Sequence, residues 1–260
     1  MVDQADSSHG FVGFPVLGLS VAAVDYSEAV RILFQWAADR GAPRLIAAAN
    51  THLVTTFRRR NDFADALRRF DLVVPDGMPL VWYLNGFYRA GLKDRVYGPD
   101  LMLRCLAATT EKYSHFLLGG SEEILVQLKS VLASKFPAVR IAGCYSPPFG
   151  PWPATEDDRV IQLIADSSAQ FIWVGLGCPK QELLLGRLKD ELRPAVYLAV
   201  GAAFPLLAGT VRQAPASWQR LGLEWAFRLL MEPRRLWRRY LVNNTLFLFY
   251  TALEIFRRKR

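Results

Sequence analysis

Cysteine and histidine are both scarce in this chain. The three cysteines, Cys105, Cys144 and Cys178, are widely spaced and form no CxxC pair. That excludes a disulfide framework and the usual zinc patterns, and it fits a reducing compartment. The three histidines are His9, His52 and His115, and no HExxH motif or close His/Cys/carboxylate group accompanies them. No metal site is expected. His52 lies near a strand end but reads as a solvent-facing helix residue. The phosphate loop GxxxxGK[ST] is missing, and after Gly175 and Gly177 the dinucleotide pattern fails at Lys180. No apolar run reaches the roughly 20 residues that a bilayer span needs. The first ten residues, MVDQADSSHG, carry early acids instead of a basic, apolar leader, so the expected location is the cytoplasm. Repeats and low-complexity linkers are absent too.

What is present describes a folded protein. The 260 residues are 52% hydrophobic and 22% charged, enough for one large α/β domain or two small ones. The net charge of +8 is unevenly placed. Beyond Ser217 there are ten arginines and lysines against three glutamates, so the front of the chain is nearly neutral.

Apolar strands alternate with helical patterns through the first 209 residues. Phe11 to Val24 reads as one or two short strands, and Glu28 to Arg40 as a helix offered caps by Asp25 and Ser27. A strand over Arg44 to Ala49 precedes a helix over residues 51–69. Asp71 to Val74, ending at Pro75, is the next strand, and Met78 to Phe87 the next helix. Helix Leu101 to Thr110, strand His115 to Gly120, a helix after Ser121 and strand Val139 to Tyr145 follow. Thr155 with Asp158 has a capping-box-like spacing. Phe171 to Leu176 and Val196 to Val200 are the last strands, with a helix opening at Gly177 to Glu182 between them. Strands apolar on both faces mean a mostly parallel sheet covered on both sides. The expected fold is α/β, a Rossmann-like mostly parallel sheet with helices on both faces, over residues 1–209. Residues 210–260 form a C-terminal helical, membrane-binding appendage.

Four strand ends carry polar or glycine-rich groups: Asn50, Asp76, Gly119-Gly120, and Gly177 to Gln181. In a parallel sheet these ends share one edge and converge on one crevice. Helix N-termini there attract phosphate, which suggests a nucleotide-like ligand. Thr51, Gly77, Gly119 and Gly177 are candidate substrate-binding positions on these turns. Asp76 has two readings: an N-cap for the helix starting near Met78, or a carboxylate placed for chemistry.

Five motifs in order decide between them. Asn50, Val74-Pro-Asp-Gly77, Arg95-Val with Gly98-x-Asp-Leu-Met102, Gly175-Leu-Gly-x-Pro-Lys-Gln-Glu182, and Gly222-Leu-Glu-Trp225 with Glu232-Pro-Arg-Arg235 resemble the bacterial WecG/TagA/CpsF glycosyltransferases. The likeness runs from about Gly13 to about Tyr240. It implies inverting, metal-independent, cofactor-free transfer from a UDP-sugar to a polyprenyl-diphosphate-linked saccharide, as in cell-wall polymer or exopolysaccharide synthesis. Asp76 matches the general base, and Asn50, Arg95 and Gln181 match residues lining the donor site. Arg95 would neutralise charge on the departing UDP. Three positions depart from the pattern: Ala48 where many members have Thr, Phe204-Pro205 for Phe-Asp, and Gln213-Ala-Pro215 for Arg-Ala-Pro. The donor is therefore N-acetylmannosamine or a hexose such as glucose, with Asn50-Thr-His52 leaning towards the hexose.

The basic tail interleaves arginines with aromatic and apolar residues from Trp218 onwards. It reads as an interfacial amphipathic segment on the inner face of the cytoplasmic membrane, not as a span. No nucleic-acid motif accompanies it. By resemblance it closes over the active site, and Arg228, Arg235 and Arg238 match the arginines that meet the acceptor's diphosphate. The rival reading is a catalytically weak nucleotide- or lipid-binding regulator on the same scaffold, with a dehydrogenase a distant third. Oligomeric state, a homo-oligomer included, is left open by the residues.

Overall fold

The computed structural model describes residues 10–153 and 155–258. Met1 to His9, Ala154, Lys259 and Arg260 lie outside the described residues, and with them the leader region, His9 and the last two basic residues.

The chain opens with a hairpin of β1 (Gly13–Val16) and β2 (Leu19–Ala22), paired antiparallel. Its two-residue turn holds Leu17 and Gly18 at φ of 51° and 97°, the twist a tight hairpin needs. Next come α1 (Tyr26–Asp39), β3 (Arg44–Ala49), α2 (Thr51–Arg59), α3 (Asn61–Leu67), β4 (Leu72–Pro75), α4 (Met78–Tyr88) and α5 (Gly98–Ala108). They are followed by β5 (Ser114–Gly119), α6 (Glu122–Lys135), β6 (Arg140–Tyr145), α7 (Glu156–Ser167), β7 (Phe171–Gly175), α8 (Lys180–Leu188), β8 (Val196–Ala199) and α9 (Ala203–Leu207). The tail holds α10 (Ala216–Arg220), α11 (Glu224–Met231), α12 (Pro233–Trp237), a π-helical turn (Arg238–Val242) and α13 (Asn243–Arg258).

Six strands form one parallel sheet in the order β4-β3-β8-β7-β5-β6. The expected α/β architecture is therefore present, with a helical C-terminal segment. Central strands carry Phe171, Trp173 and Tyr197, all fully buried, and separate apolar clusters cover the two faces. Strands buried on both faces need apolar side chains in both directions, which explains the unbroken runs FIWV and VYLA. In register, Ala49 lies level with Pro75, Ala47 with Ala199, and Val174 with Ala199. The C-terminal ends of β4, β3, β8 and β7 thus share one edge.

Several local expectations need correction. The helix expected over 51–69 breaks at Arg60, whose extended backbone (φ −125°, ψ 114°) redirects α3 onto α8. There Gly186 lets the two helices touch, because an added Cβ would sit 2.7 Å from Ala66. Asp71 precedes β4 and holds Arg44 and Lys189 at 3.2 and 2.9 Å. Thr155 makes no capping bond, because its own backbone is already helical. The helix expected from Leu101 begins earlier, at Gly98, with Pro99 in its first turn, where a missing N–H costs nothing.

The tail's helices pack against the body. Helix α13 lies on α2, and Phe247 is buried among Leu53, Tyr83 and their neighbours. No helix among the described residues is long and apolar enough to cross a membrane.

Candidate active site

Asp76 follows β4 directly, and its backbone N–H donates to the Ala49 carbonyl at 2.8 Å, extending the β3–β4 pairing by one residue. Helix α4 begins on Gly77, and Asp76 does not cap it. The carboxylate instead accepts from the Gly98 N–H at 3.1 Å, at the start of α5. The chain is led there by the Val96 N–H, which donates to the Pro75 carbonyl at 2.7 Å and lays Arg95 to Tyr97 beside the strand end. The capping reading therefore fails on geometry. Burial pushes the Asp76 carboxyl up to about 6, with Arg95 pulling it down and Glu224 adding to the rise. The Gly98 N–H and the Asn50 amide also favour its charged form. A carboxylate poised near neutral pH has the proton affinity that a general base needs.

A cavity of about 70 Å³ lies at this edge, lined by Asp76, Asn50, Gly177, Gln181, Arg228 and Arg239 among others. Two of these come from the tail, so the tail forms part of the wall. Asn50 caps α2 by accepting from the Leu53 N–H at 3.2 Å, which directs its amide towards Asp76. Gln181 is buried and uses one oxygen twice, accepting from the Gly177 and Gly201 N–H groups, both at 3.1 Å. It thereby ties together the turns after β7 and β8. Its amide donates to Glu182 at 2.8 Å, which fixes the orientation of the group. Gly177 holds φ of 81°, and a Cβ added there would meet nothing within 4 Å, so the backbone is open beside it.

The remaining expected residues are placed elsewhere. Arg95 is buried, stacked on Tyr97 at 4.2 Å and ion-paired with Glu224 of α11. It is a neighbour of Asp76 by charge and does not line the cavity. The Thr51 hydroxyl donates to Asn244 Oδ1 at 2.7 Å, so it docks the tail. Gly77 is the backbone cap of α4, 3.6 Å from the Asn50 Cβ if it carried a side chain of its own. Gly119 has φ of 110° and packs on β7, where a Cβ would come within 2.8 Å of Gly175. Among the tail arginines, Arg228 lines the cavity. Arg235 is exposed and pairs with Glu232, and Arg238 is exposed over the Trp237 ring at 5.2 Å.

His52 is not solvent-facing. It is half-buried beneath the tail, and burial first, then the Arg239 charge, lowers it to about 4. His115 is a core residue, accepting from Trp173 Nε1 at 3.0 Å.

Four site residues escaped the sequence reading of roles: Tyr97, Glu182, Glu224 and Arg239. Glu182 and Glu224 were visible only as members of motifs, and Arg239 only as one basic residue among several. Of the three departures from the expected pattern, Ala48 lines the cavity. Pro205 is built into α9, and Gln213 is exposed.

A half-buried carboxylate raised towards neutrality, in a cavity lined also by two arginines at the C-terminal edge of a parallel sheet, suits proton transfer beside an anionic group. Residues 14–260 match the profile of the Glycosyl transferase WecG/TagA/CpsF family. With nearly its whole length matched, this chain belongs to the WecG/TagA/CpsF family of glycosyl transferases.

Proposed function

We propose that the protein moves a sugar from a UDP-sugar, N-acetylmannosamine or a hexose such as glucose, onto a polyprenyl-diphosphate-linked saccharide. The observation that carries this reading is the Asp76 carboxylate, held at about 6 in a cleft shared with Arg228 and Arg239. Asp76 takes the proton of the acceptor hydroxyl as that oxygen bonds to the anomeric carbon. The bond from that carbon to the UDP oxygen breaks, and its electron pair leaves with the diphosphate. Arginines beside the cleft offset that charge, a task for which a planar, permanently charged fork is well shaped. Inversion at the anomeric carbon follows from the single displacement.

Delivery of a lipid-linked acceptor fits the tail. Twelve of the sixteen exposed large apolar side chains among the described residues lie between Leu221 and Phe256. Apolar side chains interspersed with arginine suit an anionic membrane surface, where the charge and the apolar area both contribute to attachment. We place the protein on the inner face of the cytoplasmic membrane, attached peripherally.

The test is Asp76→Asn. Transfer is expected to fall by roughly 10²–10⁴-fold while UDP binding persists. Full activity in that variant would remove Asp76 as the base. A panel of UDP-sugars, with and without a lipid-diphosphate acceptor mimic, reads the donor directly and separates transfer from mere binding.

A further inference from the structure

We propose that the space between the β1–β2 turn and the end of α13 seats the phosphodiester headgroup of an anionic membrane lipid. The inference rests on the peripheral attachment proposed above and gives it a defined site, apart from the catalytic cleft.

A second cavity, of about 430 Å³, lies there. That volume falls in the range of small-molecule sites, roughly 300–1,000 Å³. It shares no lining residue with the cleft that contains Asp76. Its walls come from three parts of the chain: Leu17 and Gly18 of the hairpin turn, Arg58 near the end of α2, and the last turns of α13. Helix α2 begins at the cleft and ends here, so its nine residues, roughly 1.5 Å each, hold the two sites apart.

The cavity carries a surplus of positive charge. Arg58, Arg257 and Arg258 line it against one carboxylate, Glu254. Arg258 answers Glu254 at 3.4 Å, donates to the Tyr88 hydroxyl at 2.7 Å and lies over the Phe87 ring at 4.7 Å. Arg58 is held over the Tyr250 ring at 4.7 Å, and its one acceptor is the Leu17 carbonyl at 3.5 Å. Arg257 is exposed and meets no acceptor among the described residues. Helices α2 and α13 both end here, and their C-terminal dipoles offset about half a charge each. A surplus of about one positive charge remains, which the single negative charge of a phosphodiester balances.

The apolar rim decides the source of that phosphate. Leu253 lines the cavity and is 38% exposed. Phe249 and Phe256, four residues before it and three after, share its helical face and are 55% and 69% exposed. An apolar stripe therefore runs from the arginines along the outside of α13. Free phosphate would use the arginines alone. A glycerophospholipid uses both, with its acyl chains along the stripe.

Calorimetric titration of the full-length protein with monomeric dihexanoyl phosphatidylglycerol tests the seat, with inorganic phosphate titrated in parallel. The unaltered protein is expected to bind the lipid, and to bind phosphate more weakly. Arg58→Gln with Arg257→Gln should weaken the lipid by about tenfold or more. Arg59→Gln with Arg234→Gln removes the same charge from exposed positions outside the cavity, and should leave the lipid within about twofold. Equal loss in the two double variants would reduce the effect to bulk charge and overturn the proposal. So would parental affinity in the cavity variant, or phosphate binding as tightly as the lipid. Arg58 packs on Tyr250, so if the cavity variant melts well below the parent, Arg257→Gln alone is read in its place. Weaker lipid binding at a parental Tm supports the seat, and parental binding rejects it. Attachment is judged apart from this, by co-sedimentation of the unaltered protein with phosphatidylglycerol vesicles. Vesicle binding without lipid titration keeps the attachment and overturns the seat. Lipid titration without vesicle binding does the reverse, and the failure of both removes both.

Discussion

The body and the tail solve opposite problems with the same apolar residues. In the body, strands such as FIWV disappear completely between two helical layers, and its exposed large apolar side chains are Val12, Trp82, Val126 and Phe149. In the tail the large apolar side chains are mostly outside, while the contact with the body is partly polar. Thr51 meets Asn244, Thr55 meets Asn243 at 2.7 Å, and Arg95 meets Glu224. Even Trp82, exposed on the body, lies against tail residue Gly222. A protein whose apolar surface were all meant for its own core would show the reverse pattern. The body hides its large apolar side chains, whereas the tail leaves most of its own exposed and meets the body through a contact that is partly polar.

Removing the tail breaks this comparison most severely. Deletion of residues 218–260 is expected to abolish transfer and to release the protein from anionic vesicles, measured by turnover and co-sedimentation. Vesicle binding retained by the truncated chain would move the anchor into the body.

Asp76→Asn comes next, and its effects on activity and stability have opposite signs. With Asp76 as the proposed base, transfer requires the ionised carboxylate, so kcat/KM of the parent should fall as pH drops through about 6. For stability, the folded carboxyl is raised above its unfolded value, so folding is favoured at low pH and that contribution is lost as pH rises through about 6. Asn removes the desolvated charge while keeping an acceptor for Gly98. The inactive variant should therefore melt higher than the parent at pH 8, with the gap closing towards pH 4. A parent that melts higher at pH 8 would contradict the burial of this charge.

Glu224→Gln probes the seam itself. Breaking a buried ion pair leaves Arg95 uncompensated, at a cost of about 3 kcal/mol, read by chemical denaturation. It also withdraws one influence that raises Asp76, so the acid limb of the pH profile should move to lower pH. A shift to higher pH, or none, would separate Glu224 from the base.

The smallest effect is expected from Phe249→Ser with Phe256→Ser. Both side chains are exposed, so Tm should hold while vesicle affinity falls. A lowered Tm with unchanged vesicle affinity would make this face part of the fold.

Much of the body was legible beforehand because its signals are local and strong. Runs such as RLIAAA and FIWVGL read as strands buried on both faces, and their alternation with helical periods required a parallel sheet. Asp76 was legible as a strand-end carboxylate. The break at Arg60 was not, because residues 51–69 carry no proline or glycine, and the break follows from packing α3 on α8. Asn243 and Asn244, which stand in an otherwise apolar segment, help dock α13. Their role depends on Thr51 and Thr55, nearly two hundred residues earlier.

From residue types and their order alone came the α/β scaffold, the crevice at the strand ends, the carboxylate in it and the charge of the tail. Periodicity and motif spacing are carried along the chain and need no partner to be read. Only the tertiary structure decided which arginines enter the cleft and which anion holds Arg95. On a helical segment each residue turns by roughly 100°, so neighbours such as Arg238 and Arg239 point apart, and a π-helical turn alters that phase. The facing of a charge is settled by where its helix docks. In this protein, docking turns Arg239 inwards beside Asp76 and closes Glu224 onto Arg95.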